Sequence, residues 1–163
     1  MEATKLEPLY THRRATLEDL MSIIDLLRDD VLGKAREESS KTPSQDYMNA
    51  FTEISDDPNQ YLMVVEQGAQ IVGTCHLTIL PSLTFKGSRR LQIEAVRVAA
   101  PHRGQKIGQW MIQAALDYGR SRGASLVQLT TDKRRKDAQK FYESLGFVTT
   151  HEGMKLKLTL ANR

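Results

Sequence analysis

The residues from Ile93 to Gly108 read Ile-Glu-Ala-Val-Arg-Val-Ala-Ala-Pro-His-Arg-Gly-Gln-Lys-Ile-Gly. An apolar strand runs through a glycine-bearing loop into the start of a helix. The first turn of a helix exposes backbone N–H groups that lack intrahelical acceptors, and it carries the positive end of the macrodipole. A glycine just ahead lets backbone approach a bound anion closely. Arg103 and Lys106 add positive charge. On physical grounds the segment suits a pyrophosphate, and an ordinary strand-to-helix turn with a basic rim is the competing reading. Neither G-x-x-x-x-G-K-[ST] nor G-x-G-x-x-G occurs, so a nucleotide-hydrolase loop and a dinucleotide fingerprint are both excluded.

Those residues must be positioned by a folded scaffold, and the chain can supply one. Its 163 residues, 40% hydrophobic and 26% charged, suffice for one domain over 1–163 with a real core. Hydrophobic spacing predicts a short strand ending at Arg13-Arg14-Ala15. A helix follows from Leu17 to Arg28, opened by Thr16 with Asp19 as its capping partner. A second helix is expected over Ser44 to Ile54. Strands follow at Tyr61–Glu66 and Ile71–Leu80, joined by Gln67-Gly68-Ala69-Gln70, and then at Leu91–Ala99. Ile107–Arg120 is an amphipathic helix, Leu126–Thr130 a strand and Asp137–Leu145 a helix stopped by Gly146. Phe147–Thr150 and Met154–Leu160 complete the pattern as a terminal hairpin. This order predicts an α/β (α+β) fold around a mixed sheet.

Composition narrows the function further. A formal net charge of +3 is a mild basic bias that suits a polyphosphate partner. It falls short of the concentrated stripe of a dedicated nucleic-acid binder. The single cysteine, Cys75, excludes an intramolecular disulfide and reads as a small core residue. His12, His76, His102 and His151 lack metal-ligand spacing, so no metal site is expected. No stretch is long and apolar enough for a transmembrane helix, and a cytoplasmic chain is expected. A DNA-binding regulator is the rival from another class, but no recognition helix with clustered base-reading side chains follows a tight turn.

Two stretches together resemble the GNAT family of N-acetyltransferases. Its phosphate loop, Q/R-x-x-G-x-G/A, is matched by Arg103 and Gly108, with Lys106 in place of the middle glycine. Asp137-Ala138-Gln139-Lys140-Phe141-Tyr142-Glu143-Ser144-Leu145-Gly146-Phe147 resembles the family's N-A-x-x-[FL]-Y-x-x-x-G-F, with Asp137 at the position of asparagine. The segment from Glu94 onward looks most like small-amine acetyltransferases of the aminoalkylphosphonate type.

The resemblance implies a mostly antiparallel central sheet, splayed at a bulge in the cofactor strand, that binds acetyl-CoA. It assigns cofactor binding to the backbone of Val96, Arg97 and Val98, to the loop Arg103, Gly104, Gln105, Lys106, Ile107 and Gly108, and to Asp137. Helix capping is a compatible role for Asp137. A neutral amine is expected to attack the thioester directly. Glu94, placed by period-two alternation on the same face as Val96 and Val98, is the implied base; an ion pair with Arg97 or Arg89 is its competing role. Tyr142 is the implied acid toward the departing thiolate, against simple packing on Phe141 and Phe147. The basic run Lys133 to Lys136 reads mainly as a solvated loop, and Trp110 as a packing residue. A small-molecule amine is the expected acceptor, bound among Asp29–Asp57 and Pro81–Arg90. Glu37, Glu38, Asp46, Glu53, Asp56 and Asp57 make the first region acidic; Lys86, Arg89 and Arg90 make the second basic. Homodimerisation is common among similar folds, and a catalytically degenerate acetyl-CoA binder is the second alternative.

Overall fold

The computed structural model describes residues 9–29, 32–37 and 39–159. Glu38 and Leu160 lie outside them. The chain divides into two compact units, Met1–Leu129 and Thr130–Arg163.

The first unit holds a mixed five-stranded sheet in the order β1-β2-β3-β4-β5. The strands are β1 (Thr11–Arg14), β2 (Gln60–Gln67), β3 (Gln70–Pro81), β4 (Arg89–Val98) and β5 (Ala124–Leu129). β1 to β4 pair antiparallel in turn, and β5 adds parallel to β4. The connection from β4 to β5 is the helix α4 (Ile107–Ser121), as a parallel neighbour requires a long crossover.

The helices α1 (Leu20–Arg28) and α2 (Gln45–Asp56) cover one face of the sheet. Leu20, Ile23 and Ile24 of α1 and Phe51 of α2 meet Val64 of β2 there. Ile107, Met111, Ile112 and Ala115 of α4 are buried at helical spacing and cover the other face. Burying each isoleucine or methionine side chain contributes about 1.5–3 kcal/mol. A Cβ built on Gly119 would come within 3.0 Å of Leu91 Cδ2, so α4 packs close to β4. Trp110 is buried and meets the His12 ring edge-on at 5.3 Å, a packing role as expected.

The first helix begins as a 3-10 turn, Leu17–Asp19. Asp19 reaches back to accept from the Thr16 N–H (2.7 Å) and hydroxyl (3.2 Å), so it does stand in for the usual capping glutamate. It also holds Arg13 of β1, whose guanidinium bridges to Glu66 on β2. A short turn, α3 (Thr84–Gly87), joins β3 to β4, with Phe85 and Lys86 in left-handed conformations.

In the second unit α5 (Lys136–Ser144) forms as expected and ends near Gly146 at φ 92°. The terminal hairpin does not form: residues 147–159 contain no strand. Met154, Leu156 and Leu158 keep strand alternation but are 94%, 86% and 78% exposed. An alternating pattern makes a strand only where an edge pairs with it and a face is buried, and a lone hairpin is marginal in water.

Candidate active site

Two interruptions in the sheet shape the first unit's site. Pairing between β4 and β5 ends at Ile93↔Leu129, so from Glu94 onward β4 is bonded only to β3. β5 itself stops there, at the last residue of the first unit. In the same stretch β4 carries a bulge. His76 faces Glu94 and Thr74 faces Arg97, which leaves Ala95 and Val96 opposite Cys75 alone. Ala95 takes φ 51°, the left-handed geometry of a glycine-type bulge.

The bulge corrects the expected side-chain parity. Glu94 does not share a face with Val96 and Val98 by simple alternation. Through their partners His76 and Thr74, Glu94 and Arg97 share the face covered further along by α1 and α2, while Val98 follows Gly73 to the other. Glu94 is exposed and makes no hydrogen bond or ion pair among the described residues. The competing ion pairs do not form. Arg97 donates to the Val96 carbonyl (2.9 Å), and Arg89 donates to the Arg122 carbonyl (3.0 Å).

Beyond β4 the chain makes a 3-10 turn, Ala100–His102, and then the loop Arg103–Lys106. Gly104 has φ 75° and Lys106 has φ 63° with ψ 11°, so two left-handed residues turn the chain sharply into α4. Lys106 thus occupies the conformation for which a glycine is the usual choice, and as the N-cap it keeps the loop geometry intact. The first bond inside the helix runs from Trp110 N–H to the Lys106 carbonyl (3.0 Å). By helix geometry the amides of Ile107, Gly108 and Gln109 have no intrahelical acceptor. A Cβ on Gly104 would meet nothing within 4 Å, so the loop leaves open space at its apex. That cradle fits a phosphate group.

The loop is braced by side chains that periodicity could not single out. Gln105 Nε2 donates across it to the Pro101 carbonyl (3.1 Å), and the buried Tyr10 hydroxyl donates to Gln105 Oε1 (3.2 Å) and contacts His102 Nδ1 (3.3 Å). Arg103 donates through Nε to the Val98 carbonyl (2.9 Å). Its Nη2 reaches the backbone carbonyl (3.0 Å) and carboxylate (3.3 Å) of Asp29. Arg103 therefore ties the loop to β4 and to the end of α1. The carbonyls of Val96 and Val98 each retain a second lone pair.

On the face with Glu94, His76 Nε2 lies 2.8 Å from Gln60 Oε1, and Gln60 Nε2 donates to Asp57 Oδ2 (3.0 Å). Burial pushes the His76 imidazole below its ordinary pKa, and the nearby Glu94 carboxylate pulls it back upward. Cys75 is fully buried, and burial alone pushes its thiol up to about 12, so it is an inert core residue as expected.

In the second unit, Tyr142 packs edge-on against Phe141 (5.1 Å) and Phe147 (5.8 Å). Asp137 is not the N-cap of α5. It stands in the first turn, where its charge still complements the macrodipole, and Arg135 holds the cap position. Lys133 pairs with Glu152 and Arg134 with Asp132, so these two cations of the basic run meet local carboxylates.

The comparisons bear on the same features. Residues 20–147 match the acetyltransferase (GNAT) family model. The aminoalkylphosphonate N-acetyltransferase of Salmonella typhimurium is 28% identical over 147 residues, 88% of each chain. A Bacillus halodurans C-125 protein described as a transcriptional regulator superposes with a TM-score of 0.89 at 45% identity, over 91% of this chain and 99% of that one. An Agrobacterium tumefaciens protein described as an acetyltransferase gives 0.80 at 25% identity, again over 91% and 99%. With a mixed five-stranded sheet whose bulged fourth strand leads into α4, the chain belongs to the GNAT family and is an acetyl-CoA-dependent N-acetyltransferase.

Proposed function

We propose that this enzyme transfers the acetyl group of acetyl-CoA to the primary amine of a small molecule, by direct attack in a ternary complex. The observation that carries the reading is the junction of β4 and α4. There the strand loses its β5 partner at Glu94 and leads through two left-handed residues into an exposed helix N-terminus.

In this reading Gly104, Gln105, Lys106, Ile107 and Gly108 hold the pyrophosphate through their backbone, and Arg103 fixes the loop. Val96, Arg97 and Val98 offer their backbone to the pantetheine arm in place of the missing strand. Asp137 and Tyr142 are assigned by their match to the α5 motif, Asp137 to the pantetheine amides and Tyr142 as the acid that protonates the thiolate. Glu94, exposed and unpaired among the described residues, removes a proton from the incoming ammonium group. One C–N bond forms, one C–S bond breaks, and one proton is released for each amine acetylated.

The acceptor class rests on the Salmonella relative and on charge. An amine that also carries an anion suits a face on which the carboxylate of Glu94 is flanked along β4 by Arg90 and Arg97. A DNA-binding regulator takes its support from the description of the Bacillus relative. Against it, the apolar residues of α1 and α2 are packed on the sheet, which leaves no helix pair to enter a groove.

Calorimetric titration with acetyl-CoA, followed by thiol release over a panel of amines including (2-aminoethyl)phosphonate, tests the reading. Binding with turnover that collapses in Tyr142→Phe supports it. Binding without turnover of any amine identifies the degenerate binder instead, and steeply salt-dependent DNA binding in place of either identifies the regulator.

A further inference from the structure

Across the exposed end of the α1/α2 face, three neighbouring strands each contribute one polar side chain: Gln60 from β2, His76 from β3 and Glu94 from β4. His76 is in register with Leu62 on one side and Glu94 on the other, and Gln60 is two residues from Leu62 on the same face. A fourth residue, Asp57, follows α2 and closes the row.

The hydrogen-bonding capacities of these groups leave one arrangement. An ionised carboxylate only accepts, so the amide end of Gln60 that meets Asp57 must be its NH2 group, at 3.0 Å. The carbonyl Oε1, which also only accepts, is then the end that meets His76, at 2.8 Å. His76 must therefore carry its hydrogen on Nε2, and the neutral ring holds its lone pair on Nδ1. Asp57 is itself fixed by the Asn59 backbone N–H (2.8 Å), which with Gln60 holds it below the usual carboxylate range and keeps it ionised.

We infer that His76 is a second proton acceptor for the substrate amine beside Glu94, locked as the Nε2–H tautomer by Gln60 and Asp57. The inference rests on the acetyl-transfer reading above. Glu94 takes the ammonium proton and passes it to water, and the freed lone pair attacks the thioester carbonyl. Nδ1 takes the second proton, which the nitrogen sheds as the C–N bond forms, and becomes part of an imidazolium cation. The Glu94 carboxylate, opposite His76, stabilises the transient positive charge, and the proton leaves to water at the exposed Glu94. Burial keeps the resting ring neutral and so able to accept. Its surroundings support the exchange. Thr74 and Thr78 flank it on β3 and are uncharged, Gln60 faces it from β2, and the Arg97 guanidinium on the same face is bonded to the Val96 carbonyl.

Two measurements test this. The first needs no substrate: nitrogen-detected NMR of the histidine rings, assigned through His76→Gln. The wild-type chain should show His76 as the Nε2–H tautomer at neutral pH, and Gln60→Leu should release it to a mixture. A ring that is Nδ1–H, or cationic at neutral pH, overturns the inference. The second is the pH–rate profile with acetyl-CoA and (2-aminoethyl)phosphonate, extended to the wider amine panel. Gln retains an N–H for Gln60, so His76→Gln preserves the packing and removes only the titrating lone pair. It should lower kcat by about 100-fold or more, change the acidic limb of the profile and leave KM for acetyl-CoA unchanged. A His76→Gln enzyme with wild-type kcat and profile overturns the inference alone. A wild-type chain that turns over no amine sinks the acetyl-transfer reading and leaves His76 no amine to deprotonate.

Discussion

Glu94 on β4 stands directly across from His76 on β3, and the bulge at Ala95 puts Arg97, not Val96, next to Glu94 on that face. A carboxylate, an imidazole and a guanidinium are thereby brought to the stretch of β4 that lies beyond its last pair with β5. The same bulge turns Val98 to the other face and breaks the parity that a regular strand would impose. One extra residue thus sorts the polar side chains of this stretch from Val98.

Glu94→Gln keeps the size of the side chain and removes its ability to take a proton. It should lower kcat by about 100- to 10,000-fold while KM for acetyl-CoA stays within a small factor. Steady-state kinetics at several pH values checks this. An equal rise in KM and no loss of kcat would show that the carboxylate binds substrate and does not accept its proton.

Much of the scaffold was readable because burial imposes periodicity. Ile107, Met111, Ile112 and Ala115 mark α4 by spacing alone, and all four are buried. Met154, Leu156 and Leu158 misled for the converse reason, since alternation announces the capacity for a strand and not the presence of a partner. The bulge was implied by the family resemblance alone and was invisible to spacing, because two-residue alternation contains no mark for an added residue. Its left-handed position is filled by Ala95, not by the glycine that would have advertised it. Tyr10 and Gln60 were not singled out, and Asp57 only as part of an acidic region, because their contacts are hydrogen bonds to side chains that spacing cannot bring together.

The Arg13–Asp19–Glu66 cluster should make stability fall in acid. The hydrogen bond from Arg13, then those from Thr16, hold Asp19 below the ordinary carboxylate pKa despite its burial. The unfolded chain then binds more protons than the folded one as the pH drops, so the contribution is complete above the ordinary carboxylate range and is lost as pH falls through the folded value. Asp19→Asn should cost about 1.5–3 kcal/mol at neutral pH and flatten the acid side of the curve. Urea unfolding across pH 3 to 7, at about unit intervals, decides it; a parallel offset with unchanged pH dependence would show that Asp19 is not the titrating group.

Arg90 should report on the anion of the acceptor. It lies on the face of Glu94, in register with Leu80, and its Nε is buried without a hydrogen-bond partner among the described residues. Arg90→Ala should raise KM for (2-aminoethyl)phosphonate roughly tenfold or more and leave KM for uncharged-tail amines unchanged. Equal effects on both substrate types would assign Arg90 to packing.

Lys106 and Gly104 provide a matched pair for the loop itself. Both are left-handed, at φ 63° and 75°, yet only Gly104 is a residue for which that region is free of a Cβ penalty. Lys106→Gly removes the penalty and should stabilise the chain by about 1 kcal/mol, offset in part by the greater freedom of glycine in the unfolded state. Gly104→Ala introduces the penalty with no clash, because its Cβ would meet nothing within 4 Å, and should destabilise by about 1 kcal/mol. The cradle amides keep their orientation in Lys106→Gly, so acetyl-CoA should bind at least as tightly, whereas Gly104→Ala should weaken it. Chemical unfolding and calorimetric titration of the two variants supply both readouts. Weaker binding in Lys106→Gly despite higher stability would show that the lysine side chain itself meets the cofactor, and that its charge is what the position retains in place of glycine.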